Sequence, residues 1–232
     1  MLLVHGCGCD QRSLAALAEF FRNSHRVVSV DLRGHGESDA PQQDYTMITF
    51  ANDLVWLCDK LSLQKPVMVG HSMGGNVILE LAARFPEIPS SLVMIDSVML
   101  PPQMMLDAVQ SQFTEGMQGP DYLAVYQQAL SAMCLPTDRR SAQLISSLRV
   151  PQHVLASAVP NHTTNYDAAT AASACRIPIA YIFSIMPLLD LPRFQSLTPQ
   201  LAIARTLGSG HFSPIEVPEQ INAMITRFLT IN

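Results

Sequence analysis

Two kinds of hydrophobic pattern alternate along the chain. Short aliphatic or β-branched runs at 2–4 (LLV), 26–30 (RVVSV), 66–69 (PVMV), 92–95 (LVMI), 177–183 (IPIAYIF) and 201–207 read as buried strands. Between them, 13–21 (SLAALAEFF), 47–61, 74–84 (GGNVILELAAR) and 217–229 carry apolar residues at three- and four-residue intervals, as a helix packed on a sheet does. About six strands alternating with about six sheet-covering helices predict an α/β fold, a mainly parallel sheet with helices on both faces. From 98 to 167 the rhythm breaks into helical stretches rich in proline and in methionine (Met99, Met104, Met105, Met117, Met133). The predicted organisation is therefore an α/β core, 1–97 and 168–232, with a helical cap inserted at 98–167. Methionine adapts to irregular apolar surroundings, so the cap's methionines suit either plain packing or the wall of an oily pocket.

Composition narrows the partners. The chain has 232 residues, enough for one full α/β core, with 48% hydrophobic and only 14% charged residues. Its formal charge is −5 without a basic block, which argues against a grip on nucleic acid or an anionic membrane and leaves a small, mostly apolar substrate as the expected partner. The five cysteines (Cys7, Cys9, Cys58, Cys134, Cys175) are an odd, scattered set, and the start MLLVHG lacks the charged and apolar regions of a signal peptide. Reduced thiols in a cytoplasmic protein are expected. Cys7-Gly8-Cys9 lacks zinc-knuckle spacing, so neither a metal nor a cofactor is expected.

The chemistry concentrates at Gly70-His71-Ser72-Met73-Gly74, a G-x-S-x-G pattern set directly between a strand and a helix. That setting makes it a nucleophile elbow, where small flanking residues permit a sharp reversal and push the hydroxyl above the sheet. With this motif the chain resembles the α/β-hydrolase fold superfamily over nearly its whole length, and in particular its small serine esterases and lactonases. His5-Gly6 is similar to the family's HG turn, Asp31-Leu-Arg33-Gly34-His35-Gly36-Glu37-Ser38 to the loop after the next strand, and Gly208-Ser-Gly210-His211-Phe212 to the loop after the last one. These motifs occur in family order.

A serine hydroxyl needs a base, and His211, just beyond the final strand, emerges at the same carboxyl edge as the elbow. His5, His35 and His71 lie in tight turns and are expected to bond backbone, and His25, His153 and His162 to lie at the surface. The acid that orients the base departs from the usual family place, because Ser184-Ile185-Met186-Pro187 follows the strand 177–183 without a carboxylate before Asp190. Asp96, which closes the strand 92–95, is assigned in preference to Asp190, and a hydrogen bond from His211 to its carboxylate is expected. Haloalkane dehalogenases and cofactor-free dioxygenases of this superfamily use that strand end. The resemblance further implies that the backbone N–H groups of Cys7 and Met73 form the oxyanion hole. It also implies a strand hairpin ahead of the HG strand; this sequence begins at the HG strand itself, so either the hairpin is absent or the start is truncated. An uncovered sheet near 2–4, relieved by rearrangement or by a homodimer, is the expected result.

Together these features predict a serine hydrolase that cleaves a small, mostly apolar ester or lactone through an acyl-enzyme. Dehalogenase and epoxide hydrolase chemistry is disfavoured because those enzymes use an Asp where this chain has Ser72. Two alternatives remain open. A cofactor-free dioxygenase of the 3-hydroxy-4-oxoquinoline type is similar in Ile95-Asp96, Ile182-Phe-Ser184 and Cys9-Asp10, and a ligand receptor of this fold would keep the triad for slow turnover.

Overall fold

Six parallel strands form one sheet in the order β2-β1-β3-β4-β5-β6: β1 Leu2–Val4, β2 Val28–Val30, β3 Val67–His71, β4 Ser91–Ile95, β5 Ile179–Phe183 and β6 Leu201–Arg205. The structure is a computed structural model and describes residues 1–100, 116–185 and 187–231. Helices among the described residues are α1 Ala15–Phe21, α2 Met47–Lys60, α3 Met73–Arg84, α4 Tyr122–Ala132, α5 Arg139–Ser147, α6 Gln152–Thr163, α7 Ala168–Ala174, α8 Leu191–Leu197, α9 Ser213–Glu216 and α10 Pro218–Ile231.

The period-two alternation of the strands sorts their side chains into two cores. Leu2, Val4, Met68, Leu92, Met94, Ile179 and Tyr181 face the larger one, with residues of α2, α3 and α4 to α8. Leu3, Val69, Val93, Ile95, Ala180 and Ile182 face the other, closed by Leu17 and Phe21 of α1 and Ile221, Ile225 and Phe228 of α10. Burying each such side chain contributes about 1.5–3 kcal/mol, so both faces of the sheet are strongly specified. Because both faces are covered, the central strands read as continuous apolar runs.

One expectation fails here. Leu2, Leu3 and Val4 are fully buried, since β1 pairs with β2 on one side and β3 on the other. The uncovered edge is instead that of β2, whose three residues are only half-buried.

Register decides where the chemistry collects. His71 pairs with Ile95, and Ile95 with Ile182, so β3, β4 and β5 end level with one another. The Ser72 amide then donates to the Ile95 carbonyl (2.8 Å) and the Asp96 amide to that of Ile182 (2.8 Å). Ser72, Asp96 and Ser184 thus follow three adjacent strands at one carboxyl edge. Of the segment predicted as a cap, residues 98–100 and 116–167 are described and hold α4, α5 and α6. Met104 and Met105 lie outside the described residues. No described helix is long and apolar enough to cross a membrane.

Candidate active site

Ser72 adopts φ 52°, ψ −122°, a left-handed conformation rarely tolerated by a side-chain-bearing residue, at the step from β3 into α3. Two glycines make the reversal possible by close approach. A Cβ on Gly74 would lie 2.2 Å from the Val4 carbonyl oxygen, and one on Gly70 would lie 2.4 Å from the backbone of Gly74. The same tight packing brings the turn after β1 against the elbow, since a Cβ on Gly6 would lie 3.0 Å from Ser72 Cβ. The amides of Cys7 and Met73, on these two turns, donate to no described residue. Met73 opens α3, so its free N–H lies at the positive end of the helix dipole.

Ser72 opens onto a cavity of about 120 Å³ lined by Gly6, Cys7, Cys9, His71, His211 and Phe212 from the core. Val98, Tyr126, Leu130, Met133, Val159, His162 and Thr163 close it from the segment between β4 and β5. Its walls are overwhelmingly apolar. Of the methionines in that segment, Met133 lines the cavity, whereas Met99 and Met117 are buried in the core. Tyr126, on α4, reaches across to donate its hydroxyl to the Cys7 carbonyl (2.7 Å), which fixes the peptide plane beside the predicted oxyanion donor. Burial pushes the Cys7 thiol up to about 12 and the Cys9 thiol higher still, so both stay protonated and are poor nucleophiles.

His211 lies in this cavity, held from three sides. Its amide donates to the Met133 carbonyl (2.8 Å), its own carbonyl accepts from His71 Nε2 (2.8 Å), and the neighbouring Gly210 amide is bound by the Glu216 carboxylate. Burial, then the nearby His71 and His162, hold its pKa well below the ordinary histidine value, so the ring is neutral at pH 7. His211 Nδ1 is buried without a partner.

Asp96 does not form the expected bond to that nitrogen. Its Oδ1 accepts from the Ser184 amide (3.0 Å), and its Oδ2 is buried and unpaired. Burial raises its carboxyl to about 7, opposed by the Ser184 amide and the nearby hydroxyls of Ser184 and Ser213. Ser213 Oγ itself has no partner at hydrogen-bond geometry. A carboxyl half-neutralised by burial and a ring kept neutral by burial exert little pull on each other in the resting state. Asp190 is exposed and caps α8, its Oδ1 accepting from the Arg193 amide (3.1 Å).

The remaining histidines sort by their backbone bonds. His5 Nδ1 donates to the Gly6 carbonyl (2.7 Å) while Nε2 accepts from the Leu32 amide (3.0 Å), and His35 Nδ1 donates to the Arg33 carbonyl (2.9 Å). His25 and His153 are half-buried. His162, expected at the surface, is buried and lines the cavity. Asn76 places it there. From α3, four residues beyond Ser72, its Nδ2 donates to the carbonyls of both Val98 (2.9 Å) and His162 (3.0 Å). Sequence reading missed His162, Asn76, Tyr126 and Glu216. Only Asn76 carried a local signal, as a polar residue on the buried face of an otherwise apolar helix.

Comparison with known proteins bears on the family and the fold. Residues 1–156 match the family model described as alpha/beta hydrolase fold. A putative esterase/lipase of Haemophilus influenzae is 30% identical over 102 residues, 44% of this chain and 35% of that protein. Epoxide hydrolase 4 of Mus musculus is 37% identical over 98 residues, 41% of this chain and 27% of that protein. The match thus spans less than half the length of these curated relatives. The crystal structure of the enol-lactonase from Burkholderia xenovorans LB400 superposes with a TM-score of 0.85 at 19% identity, covering 99% of this chain and 90% of that one. A likeness at that identity concerns the fold.

Proposed function

The chain belongs to the alpha/beta hydrolase fold family, and from that premise we propose that it is a serine hydrolase cleaving a small, mostly apolar carboxylic ester or lactone through an acyl-enzyme. The observation that carries this reading is the strained Ser72 elbow opening onto an apolar cavity shared with His211. Ser72 Oγ attacks the substrate carbonyl carbon and gives its proton to His211. The oxyanion is held by the amides of Cys7 and Met73. As the tetrahedral intermediate collapses, the leaving oxygen takes the proton from His211. Water then attacks the acyl carbon, His211 accepts its proton and returns it to Oγ, and the acid departs.

Protonating a buried ring is costly unless a counter-charge meets it. The unpaired Asp96 Oδ2 and the unpaired His211 Nδ1 are the two atoms whose joining would stabilise the transient imidazolium. The described residues of the cavity walls offer no cation to pair a charged acyl group, which favours oily substrates.

The test uses a fluorophosphonate probe and short-chain aryl esters. The probe labels Ser72, and Ser72→Ala loses both labelling and turnover, the latter by a factor on the order of 10³ or more, without change in oxygen uptake. Labelling that survives Ser72→Ala overturns the assignment. So does oxygen-consuming cleavage of 3-hydroxy-4-oxoquinolines that persists in Ser72→Ala and is lost in His211→Ala.

A further inference from the structure

We propose that His162 is a specificity-determining acceptor, whose Nε2 selects substrates bearing one hydrogen-bond donor, a hydroxyl or amide N–H, near the scissile carbonyl. This rests on the hydrolase reading and deepens it.

His162 Nδ1 lies 2.8 Å from the Ala158 carbonyl oxygen, which can only accept, so Nδ1 carries the proton. Nε2 therefore presents a lone pair, and it bonds to no described residue. The ring lines the same cavity as Ser72 and is 7% exposed. It is also rigidly placed, with Nδ1 tied to its own helix and its carbonyl pinned by Asn76 of α3. A preset ring loses little freedom when it receives a ligand.

The other polar atoms of the cavity are already committed. His71 Nε2 donates to the His211 carbonyl, the Thr163 hydroxyl to the Val159 carbonyl (2.8 Å), and the Tyr126 hydroxyl to Cys7. Ser72 and His211 belong to the bond-making steps. Of the two ring nitrogens among the described lining residues that keep a lone pair and have no task in the chemistry, His71 Nδ1 is completely buried, which leaves Nε2 of His162 as the acceptor within reach of a ligand. Burial holds this ring down at about 4, so it stays neutral and does not attract carboxylates. An apolar ligand without a donor would cover Nε2 and leave it unsatisfied, and a carboxylate would set acceptor against acceptor.

The test compares matched aryl esters that differ in one group, a hydroxyl against a methyl on the carbon next to the carbonyl or the one beyond it. The wild-type kcat/KM ratio favours the hydroxy ester by about tenfold or more. In His162→Phe, which keeps a ring and loses the acceptor, the ratio falls to near one. In His162→Gln, whose amide oxygen can accept, part of it returns. A second measurement does not depend on those variants or on turnover. Ser72→Ala protein, titrated calorimetrically with the matched hydroxy and methyl amides as unreactive ligands, binds the hydroxy member more tightly by a similar factor. A wild-type ratio near one in both measurements overturns the proposal, as does a hydroxyl preference that persists in folded His162→Phe. If no ester is turned over while the binding preference holds, the hydrolase reading fails and the His162 assignment stands.

Discussion

Asp96 is held with φ +45° at the end of β4, one carboxylate oxygen on the Ser184 amide and the other unpaired. If it serves as the acid, it must be ionised when His211 takes up a proton. Its carboxyl titrates at about 7, so kcat falls as pH drops through about 7, because the protonated form cannot meet the imidazolium. Asp96→Asn lowers kcat by about 10² to 10⁴ and removes that acid limb, whereas Asp190→Asn changes kcat by less than about twofold. The opposite pattern in a pH–rate profile would transfer the role to Asp190. At this scale the sequence spoke clearly for Ser72, because a strand, a small-residue turn and a helix lie within a few consecutive positions. It was silent on His162, whose place depends on a hydrogen bond from Asn76 across 86 residues of chain.

Helix α3 does more than present Ser72. Its Asn76 is completely buried and spans to two carbonyls, one just past β4 and one near the end of α6. Asn76→Leu keeps the branched shape and leaves both carbonyls unpaired, so unfolding in urea reports a loss of about 2 to 6 kcal/mol, at about 1 to 3 for each orphaned group. A loss under about 1 kcal/mol would mean the two carbonyls find other partners. Strands and sheet-covering helices were legible because each element's burial is written in its own period. The placement of α4 and α6 was not, because they are set by Tyr126 on Cys7 and by Asn76, contacts between segments that are distant along the chain.

For the whole molecule, five buried histidines outweigh the carboxyls that burial raises. Burial holds His35 at about 3 and His71 and His162 at about 4, and lowers His5 and His211 as well, against 6.5 for the ordinary ring. Between pH 6.5 and about 4 the unfolded chain therefore binds more protons than the native one at these rings. Stability falls on acidification through that window, by roughly 1.4 kcal/mol per pH unit for each fully buried ring. Asp96 acts in the opposite sense, because its raised value favours the native state at low pH and is lost as pH rises through about 7. Burial raises Glu80 and Glu216 in the same sense as Asp96, but with five rings against three carboxyls, Tm still drops from pH 6.5 to pH 4.5. A Tm that is flat or rising over that range would contradict the buried, neutral state of these rings.

The bond between the His211 amide and the Met133 carbonyl has one more consequence. Glu216 reinforces it, since its carboxylate binds both the Gly210 amide and that of Leu135 (2.9 Å). The wall of the cavity at the end of α4 and the loop that carries His211 are thus joined twice, once directly and once through the Glu216 carboxylate. Any displacement of the end of α4 is therefore transmitted to the backbone of His211, and the wall of the cavity and the ring inside it move as one unit.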